Sequence, residues 1–468
     1  HIAMKRKIVQ DLEKFFLSKT EKAFLLKGTR QVGKTYIINE FITHHYDSDH
    51  TIYINFLRQP EAKDFFEAPD GDSSLEPKKI LRRILNNPLY QNVKQDGAKI
   101  ALFLDEIQEC PKAITSLKFF ALERKKYDVY ASGSYLGFTL MDIDKGESFP
   151  TGYVQRARLY GLDFEEFLWA NGYSETYTES LKKSFKDGVL LDASAHNELL
   201  DMFHKYVIVG SLPEPINVYL ETKDFKEVRK IAQSLYEDYC TEMNKHLSFF
   251  SREHYGDGFA EIMKIKNKAV FDSIPSQLRQ QNKKFMYRRV SRGGRERMYL
   301  DNILWLKTAG LIDEIDNIKK PSLFLSDFKE EDDFKLYFFD TGILISRFDY
   351  ELIGDILSPT KDVPYEVSLS IGGIYENAIS NILAKYFDED KDYFFYKQGN
   401  EEIDFAYQEG RRIALIEVKS GENIKPKSLK NLVQERKDII PIRISQKQIK
   451  EKTYVEYPFY AFALLHSK

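Results

Sequence analysis

The sequence is poor in cysteine, because only Cys110 and Cys240 occur among 468 residues. Two distant thiols cannot form a disulfide framework or a zinc cluster, so we expect both to be ordinary buried thiols. Long apolar runs are also missing, since none approaches the roughly 18 residues that a membrane-spanning helix needs. The first residues lack the apolar segment of a signal peptide, and His1 to Ala3 precede a natural-looking start at Met4. We therefore expect a soluble, cytoplasmic protein with no membrane partner.

A large excess of one charge is absent as well. The chain has 69 Lys and Arg against 72 Asp and Glu, which excludes a wholly basic nucleic-acid tail or an acidic disordered chain. Internal repeats and low-complexity tracts are not found. The 43% of hydrophobic residues, with 14% aromatic, can fill substantial cores. At roughly 150 residues per domain, the length predicts about three domains.

The pattern of apolar residues changes along the chain. Up to about residue 170, short apolar strands alternate with amphipathic helices, which predicts an α/β unit with a parallel sheet. The strands are expected at 23–26, 52–56, 100–104 and 129–131. We predict domain boundaries as follows: the α/β unit over 4–175, a helical lid or connector over 176–255, short helices over 256–320, a connector with an acidic loop (327–333) over 321–370, and a last α/β unit over 371–468.

One glycine-rich run follows the first expected strand and opens a helix. It fits the pattern G-x-x-x-x-G-K-[ST] of a phosphate-binding loop, the Walker A motif. Backbone N–H groups of such a loop point at phosphates, the lysine meets the outer phosphates, and the hydroxyl ligates Mg²⁺. The sequence therefore predicts ATP and Mg²⁺ as ligands; a glycine-rich turn without nucleotide is the alternative. The residues are Gly28, Thr29, Arg30, Gln31, Val32, Gly33, Lys34 and Thr35.

A second element is the apolar strand that ends in Asp105 and Glu106. Unpaired charges at the rim of a core are costly, so a chemical role is expected for this pair. We predict that Asp105 holds Mg²⁺ through water and that Glu106 orients the attacking water; a solvated strand end is the alternative. The next strand ends at Ser132 and Ser134, either of which is placed to sense the γ-phosphate, although a serine there is equally consistent with ordinary turn chemistry.

These motifs resemble those of bacterial and archaeal AAA+ superfamily ATPases that carry a C-terminal region of the DUF4143 type. The segment 162–168, the turn 210–214, the helix end 305–312 and the strand end Glu417-Val418-Lys419 extend the resemblance over nearly the whole chain. It implies ATP hydrolysis, a winged-helix element after the lid and a restriction-endonuclease-like C-terminal domain. Residues 152–156 depart from the family pattern, so no arginine finger can be named; Arg156 and Arg158 are candidates to reach a neighbouring subunit's phosphate, or are solvated surface residues.

A dense basic segment lies where the resemblance implies the winged helix. It carries eleven basic residues against Asp272 and Glu296, enough to neutralise several phosphates of duplex DNA. The alternatives are that these residues form the solvated faces of short helices, or that they dock the segment internally against the acidic loop 327–333. The basic residues are Lys264, Lys266, Lys268, Arg279, Lys283, Lys284, Arg288, Arg289, Arg292, Arg295 and Arg297.

The last α/β unit contains a predicted hairpin with an unusual set of charges. Its strands, 401–407 and 412–419, place Asp404 near Glu417 and Lys419. The spacing resembles PD-(D/E)xK nucleases, with Ile403-Asp404 in place of the proline-aspartate pair. Glu376, on an expected helix over 374–385, is a third candidate carboxylate. We expect these carboxylates to hold Mg²⁺ or Mn²⁺ beside a catalytic Lys419, or to form a neutralised ion cluster in an inactive nuclease fold.

Two functions follow from these patterns. The first is an ATPase whose nucleotide state controls a DNA-directed, nuclease-like C-terminal half. The second is a nucleotide switch that recruits a protein partner through an inactive nuclease-like domain.

Overall fold

The computed structural model describes residues 4–67, 74–134, 149–247, 256–359, 362–421, 427–433, 436–449 and 454–468. The three residues before Met4 therefore lie outside the described part. Within these ranges, none of the helices combines the length and the apolar character needed to span a membrane.

The N-terminal unit is built on a five-stranded parallel sheet in the order β2-β3-β4-β1-β5. The four expected strands are confirmed. Three of them, β1, β3 and β4, are buried along their whole length, whereas β2 has a partly buried Thr51 and an exposed Tyr53. The sequence reasoning missed β5, because its alternating polar residues are typical of a sheet edge. The elements are α1 (Val9–Leu17), β1 (Ala23–Gly28), α2 (Lys34–His45), β2 (Thr51–Asn55), α3 (Asp64–Glu67), α4 (Pro77–Leu85), β3 (Ile100–Asp105), α5 (Pro111–Leu122), β4 (Tyr127–Ser134) and β5 (Val154–Leu159).

A helical layer follows, as expected from the change in periodicity. Asp163 begins it with a capping box, in which its side chain and that of Glu166 satisfy each other's backbone N–H groups. The turn at Gly210, with φ of 82°, separates two helices, and Pro213 opens the second. The helices are α6 (Phe164–Ala170), α7 (Glu175–Lys186), α8 (Ala193–Val209), α9 (Pro213–Thr222), α10 (Phe225–Thr241) and α11 (Phe259–Leu278).

The next segment starts the second sheet. Helix α12 (Leu300–Thr308) is followed by the antiparallel pair β6 (Ile312–Ile318) and β7 (Lys329–Phe338), and then by α13 (Thr341–Ile345) and α14 (Glu351–Leu357). The prediction of an acidic loop over 327–333 is wrong in part, because the residues from Lys329 onward form β7. Pairing with β6 satisfies the backbone of this polar stretch, while the apolar end of β7 enters the core.

The C-terminal elements complete a seven-stranded mixed sheet in the order β12-β11-β10-β9-β8-β6-β7. Strands β8, β9 and β10 form an antiparallel meander, and β11 lies parallel to β10. Two strands, β6 and β7, thus come from the ranges expected to be the third unit and the connector. The elements are α15 (Tyr365–Phe387), β8 (Tyr393–Gln398), β9 (Glu401–Glu409), β10 (Arg412–Val418), α16 (Lys427–Val433), β11 (Ile439–Ser445), β12 (Val455–Pro458) and α17 (Phe459–Leu465).

One hydrophobic cluster connects the two halves. It runs from Phe24 and Ile38 in the first unit, through Phe203 in the helical layer, to Ile379 and Ile416 in the second sheet. Both cysteines are buried thiols, as the sequence indicated. The helical layer and both sheets therefore contribute side chains to one core.

Candidate nucleotide site and a C-terminal carboxylate cluster

The glycine-rich run forms the loop between β1 and α2. Gly33 has φ of 99°, a left-handed conformation that glycine adopts without strain, and it precedes the first residue of α2. The Lys34 ammonium donates hydrogen bonds to the carbonyl oxygens of Gly28, at 2.9 Å, and Thr29, at 2.8 Å. The loop thus folds around its own lysine, and the N–H groups at the start of α2 lie where an anion would bind.

The Lys34 side chain is buried, and this burial lowers its pKa to about 8. Glu106 and Asp105 oppose the shift by stabilising the ammonium form, whereas the charge of Arg30 adds to it. A bound phosphate would stabilise the ammonium form of Lys34, because it places a negative charge beside a cation that has lost its hydration.

Asp105 is the most connected side chain of the site and is only 1% exposed. Its Oδ2 accepts hydrogen bonds from the Thr35 hydroxyl at 2.8 Å, the Asn55 amide at 2.9 Å and the Tyr53 hydroxyl at 3.0 Å. Ser132 donates to its Oδ1. Thr35 and Asp105 therefore present a hydroxyl and a carboxylate at one place, which suits a hydrated Mg²⁺.

Sequence reasoning missed Tyr53 and Asn55. Both lie on β2, and Asn55 is level with Asp105 in the register of β2 and β3. The available signal was the position of Asn55 at the carboxyl end of a strand, the edge where ligand sites of α/β sheets form.

Glu106 lies just beyond the end of β3, with φ of 53°. Its Oε2 accepts a hydrogen bond from the Gln108 amide at 2.6 Å, and its side chain lines the same cavity as Lys34. The two candidate serines differ in position: Ser132 contacts Asp105, and Ser134 is level with Gly28 in the pairing of β4 with β1. Both are therefore at the phosphate end of the sheet.

A cavity of about 930 Å³ opens beside the loop. Its far wall belongs to the helical layer and includes Glu214 on α9 and Asp238 on α10. Glu242, just after α10, forms an ion pair with Arg30 of the loop, and the Gln31 amide lies 3.5 Å from Asp238 Oδ2. These acids were not predicted from the sequence, because no local sequence motif identifies a residue of the helical layer that contacts a loop about 200 positions away.

Arg156 and Arg158 lie elsewhere. They line a separate cavity of about 670 Å³ behind the edge strand β5, and neither lines the cavity beside the loop. The Arg156 guanidinium stacks 4.0 Å from the centre of the Phe149 ring, and that of Arg158 approaches Asp388 at 4.0 Å.

The basic segment divides into an inward and an outward part. Lys283 pairs with Glu376 at 3.0 Å, and Lys284 pairs with Asp333 at 3.3 Å, so part of the charge serves internal docking. The exposed part consists of Arg279, just after α11, and of five arginines in and between two short turns before α12: Arg288, Arg289, Arg292, Arg295 and Arg297.

The C-terminal carboxylates lie on the second sheet and on α15. Asp404 Oδ2 accepts a hydrogen bond from the Val418 N–H at 2.7 Å, which ties β9 to the end of β10. Burial and the neighbouring Glu376 raise the pKa of Asp404 to about 7, against the opposing charges of Lys335 and Lys419. Glu376 Oε1 pairs with Lys283 at 3.0 Å, and its Oε2 accepts from the Tyr337 hydroxyl at 3.1 Å.

Glu417 has different surroundings. Its Oε1 accepts a hydrogen bond from the Leu429 N–H at 3.3 Å, and burial raises its pKa while the charges of Lys419 and Arg443 oppose that shift. Within the described residues, the one group of three ligand atoms that lie within 4.8 Å of one another is Asp47, Asp49 and His50. Asp404, Glu417 and Glu376 are not in that group, and their assignment to a Mg²⁺ or Mn²⁺ site stays a prediction.

The comparisons with known families agree with the geometry of the first site. Residues 20–168 match the family model described as an AAA domain. Residues 371–462 match a domain of unknown function, DUF4143, and residues 200–351 match another, DUF8612. No curated protein matches the chain. The parallel sheet, the phosphate loop and the first match together define an AAA-type P-loop ATPase domain, as expected from the sequence.

Solved structures similar to the chain include a Walker-type ATPase of Pyrococcus abyssi. It is 12% identical, and the match covers 74% of this chain and 96% of that chain with a TM-score of 0.42. The Aeropyrum pernix ORC2 protein is 14% identical, with 76% and 93% of the two chains covered and a TM-score of 0.33.

Proposed function

We propose that the protein binds ATP with Mg²⁺ and hydrolyses it at the loop between β1 and α2. Lys34 contacts the outer phosphates, and Thr35 with Asp105 holds the Mg²⁺, which neutralises charge on the phosphates. Glu106 orients the attacking water and accepts its proton, and Ser134 or Ser132 senses the γ-phosphate. The hydrogen bond from Thr35 to Asp105 carries this proposal, because it brings the hydroxyl and carboxylate of the two motifs together.

Two substitutions test the proposal. Lys34→Ala is expected to abolish ATP binding, because the cation that meets the phosphates is lost. Glu106→Gln is expected to keep ATP bound while slowing hydrolysis by about 100-fold or more, since the amide cannot accept the proton. ATP affinity and phosphate release are measured for each variant.

Glu109→Gln is the matched control, because Glu109 lies on the same short turn after β3 but does not line the cavity. Its turnover is expected to equal that of the unaltered protein. Full ATP affinity in Lys34→Ala, or full turnover in Glu106→Gln, would contradict the assignment.

We further propose that nucleotide state reaches a DNA-directed surface in the winged-helix-like segment 256–320. The phosphate loop adjoins that segment, since a β-carbon at Gly310 would lie only 2.7 Å from the Thr29 hydroxyl. The Trp305 indole N–H donates to the Lys245 carbonyl at 3.0 Å, which joins α12 to the residues after α10. The exposed arginines before α12 are the phosphate-binding face.

The order of elements from α15 to β11 supports a nuclease-like fold for the C-terminal unit. One helix, an antiparallel meander of three strands, a short helix and a strand parallel to the third follow one another. The second candidate function uses this fold without catalysis, as the recruiting surface of a nucleotide-dependent switch. The pairing of Glu376 with Lys283 favours it over a Mg²⁺ or Mn²⁺ nuclease, because a carboxylate held by lysine is poorly placed as a metal ligand.

A further inference from the structure

A lysine that the sequence analysis did not single out lies among the carboxyl groups of Glu376, Glu402 and Asp404 at the second sheet. Lys335 is on β7, and its side chain is only 1% exposed. Its ammonium lies 3.2 Å from Glu402 Oε1 and 3.8 Å from Glu376 Oε2, and it interacts electrostatically with Asp404. Carboxyl groups from α15 and β9 therefore surround one buried cation.

The charges around this cluster are already balanced. Glu402 also pairs with Lys397 at 3.1 Å, Glu376 also pairs with Lys283, and Lys419 interacts with Asp404. Lys419 also interacts with Glu417, so four lysines face four carboxyl groups. A divalent ion added to this arrangement would find the carboxyl groups already neutralised, and both oxygens of Glu402 are already paired with ammonium groups.

We infer that Lys335 is the resident cation of the cluster formed by Glu376, Glu402 and Asp404, so that these carboxyl groups are closed to a divalent metal ion. This inference deepens the second candidate function and rests on the proposed nuclease-like fold. It does not involve the ATP site.

An ammonium group can serve in this cluster because it meets the same requirement as a metal ion. Carboxylates buried in a sheet need a counter-charge, and either cation supplies it. An ammonium group donates at most three hydrogen bonds and cannot activate water as a Lewis acid, so the cluster is stabilised without hydrolytic chemistry.

The test counts Mn²⁺ ions bound to the nucleotide-free full chain, from the electron paramagnetic resonance signal of the free ion. The unaltered protein and Asp404→Asn are expected to bind the same number, since neither holds an ion in the cluster. Any binding by Asp47, Asp49 and His50 is common to both and cancels. If Asp404→Asn instead binds one ion fewer than the unaltered protein, the inference is overturned.

Removal of the lysine provides the second arm. Lys335→Met is expected to bind one additional Mn²⁺ per chain, and the double variant Lys335→Met/Asp404→Asn is expected to lose it. Lys397→Met is the matched control, because it removes a lysine from Glu402 but leaves Lys335, and should gain no ion. A folded Lys335→Met that gains none would also overturn the inference.

If Lys335→Met does not fold, the comparison of the unaltered protein with Asp404→Asn still decides the matter. ATP turnover is measured on the same samples. ATP turnover depends on Lys34 and Glu106, so an unaltered protein without turnover would contradict the proposed ATPase function. A metal ion bound at Asp404 would contradict only the inference about Lys335.

Discussion

Asp340 joins the helical layer to the second half of the chain, and its removal should have a large, calculable effect. It lies between β7 and α13 and is 2% exposed. Its Oδ1 accepts hydrogen bonds from the Ser211 N–H at 2.6 Å and the Ser211 hydroxyl at 2.8 Å, and its Oδ2 accepts from the Ile343 N–H at 2.9 Å. Ser211 belongs to the turn before α9, whose Pro213 lies beside Gly33 of the phosphate loop.

Asp340→Ala would leave two buried backbone N–H groups without a partner. Each such group costs about 1 to 3 kcal/mol, so we expect unfolding to become easier by about 2 to 6 kcal/mol. Asp340→Asn keeps the Oδ1 acceptor but presents an amide nitrogen to Ile343, and should lose only about 1 to 3 kcal/mol. The order of the two variants is therefore fixed by the geometry.

Urea unfolding followed by tryptophan fluorescence measures these free energies, because Trp169 lies in the helical layer and Trp305 on α12. The exposed Asp349→Ala is the control and should change stability by less than about 0.5 kcal/mol. Equal losses in the alanine and asparagine variants would refute the assignment of the hydrogen bonds. We also expect weaker ATP binding in Asp340→Ala, because the turn before α9 borders the nucleotide cavity.

Two further outcomes are expected. Reversal of Arg288, Arg289 and Arg292 to Glu should weaken duplex DNA binding and lower the slope of log affinity against log salt by about three, measured by fluorescence anisotropy; an unchanged slope would favour internal docking. Burial lowers the pKa of His466 to about 4, so the folded chain keeps it neutral while the unfolded chain protonates it. Stability should therefore fall as pH drops from about 6.5 to 4, and urea titrations of His466→Gln should show a smaller fall.

The nucleotide site could be predicted because its chemistry fixes a local pattern. A loop that wraps phosphates needs glycine, lysine and a hydroxyl within eight positions, and a buried strand that ends in Asp105 and Glu106 is conspicuous. The strands that carry these motifs are continuous apolar runs. Strand β5 escaped prediction for the opposite reason, since Gln155, Arg156 and Arg158 make it polar at the sheet edge.

Contacts between distant segments could not be predicted in this way. Arg30 and Glu242, or Ser211 and Asp340, are ordinary polar residues in the sequence, and only the folded chain pairs them. Lys335 lies among Asp332, Asp333 and Phe334, where a solvated lysine is the usual expectation. Its burial results from the pairing of β7 with β6 beneath α15, which no local pattern indicates.

Lys34 and Lys335 show why residue type alone does not define a site. Each is a buried lysine near several carboxyl groups, but their hydrogen-bond partners differ. Lys34 donates to backbone carbonyls of a loop that borders a cavity, so a phosphate that enters can replace those weak partners. Lys335 is held by carboxylates, which attract it more strongly than the neutral carbonyls attract Lys34. The first lysine is therefore available to a ligand, whereas the second already has its counter-ions within the fold.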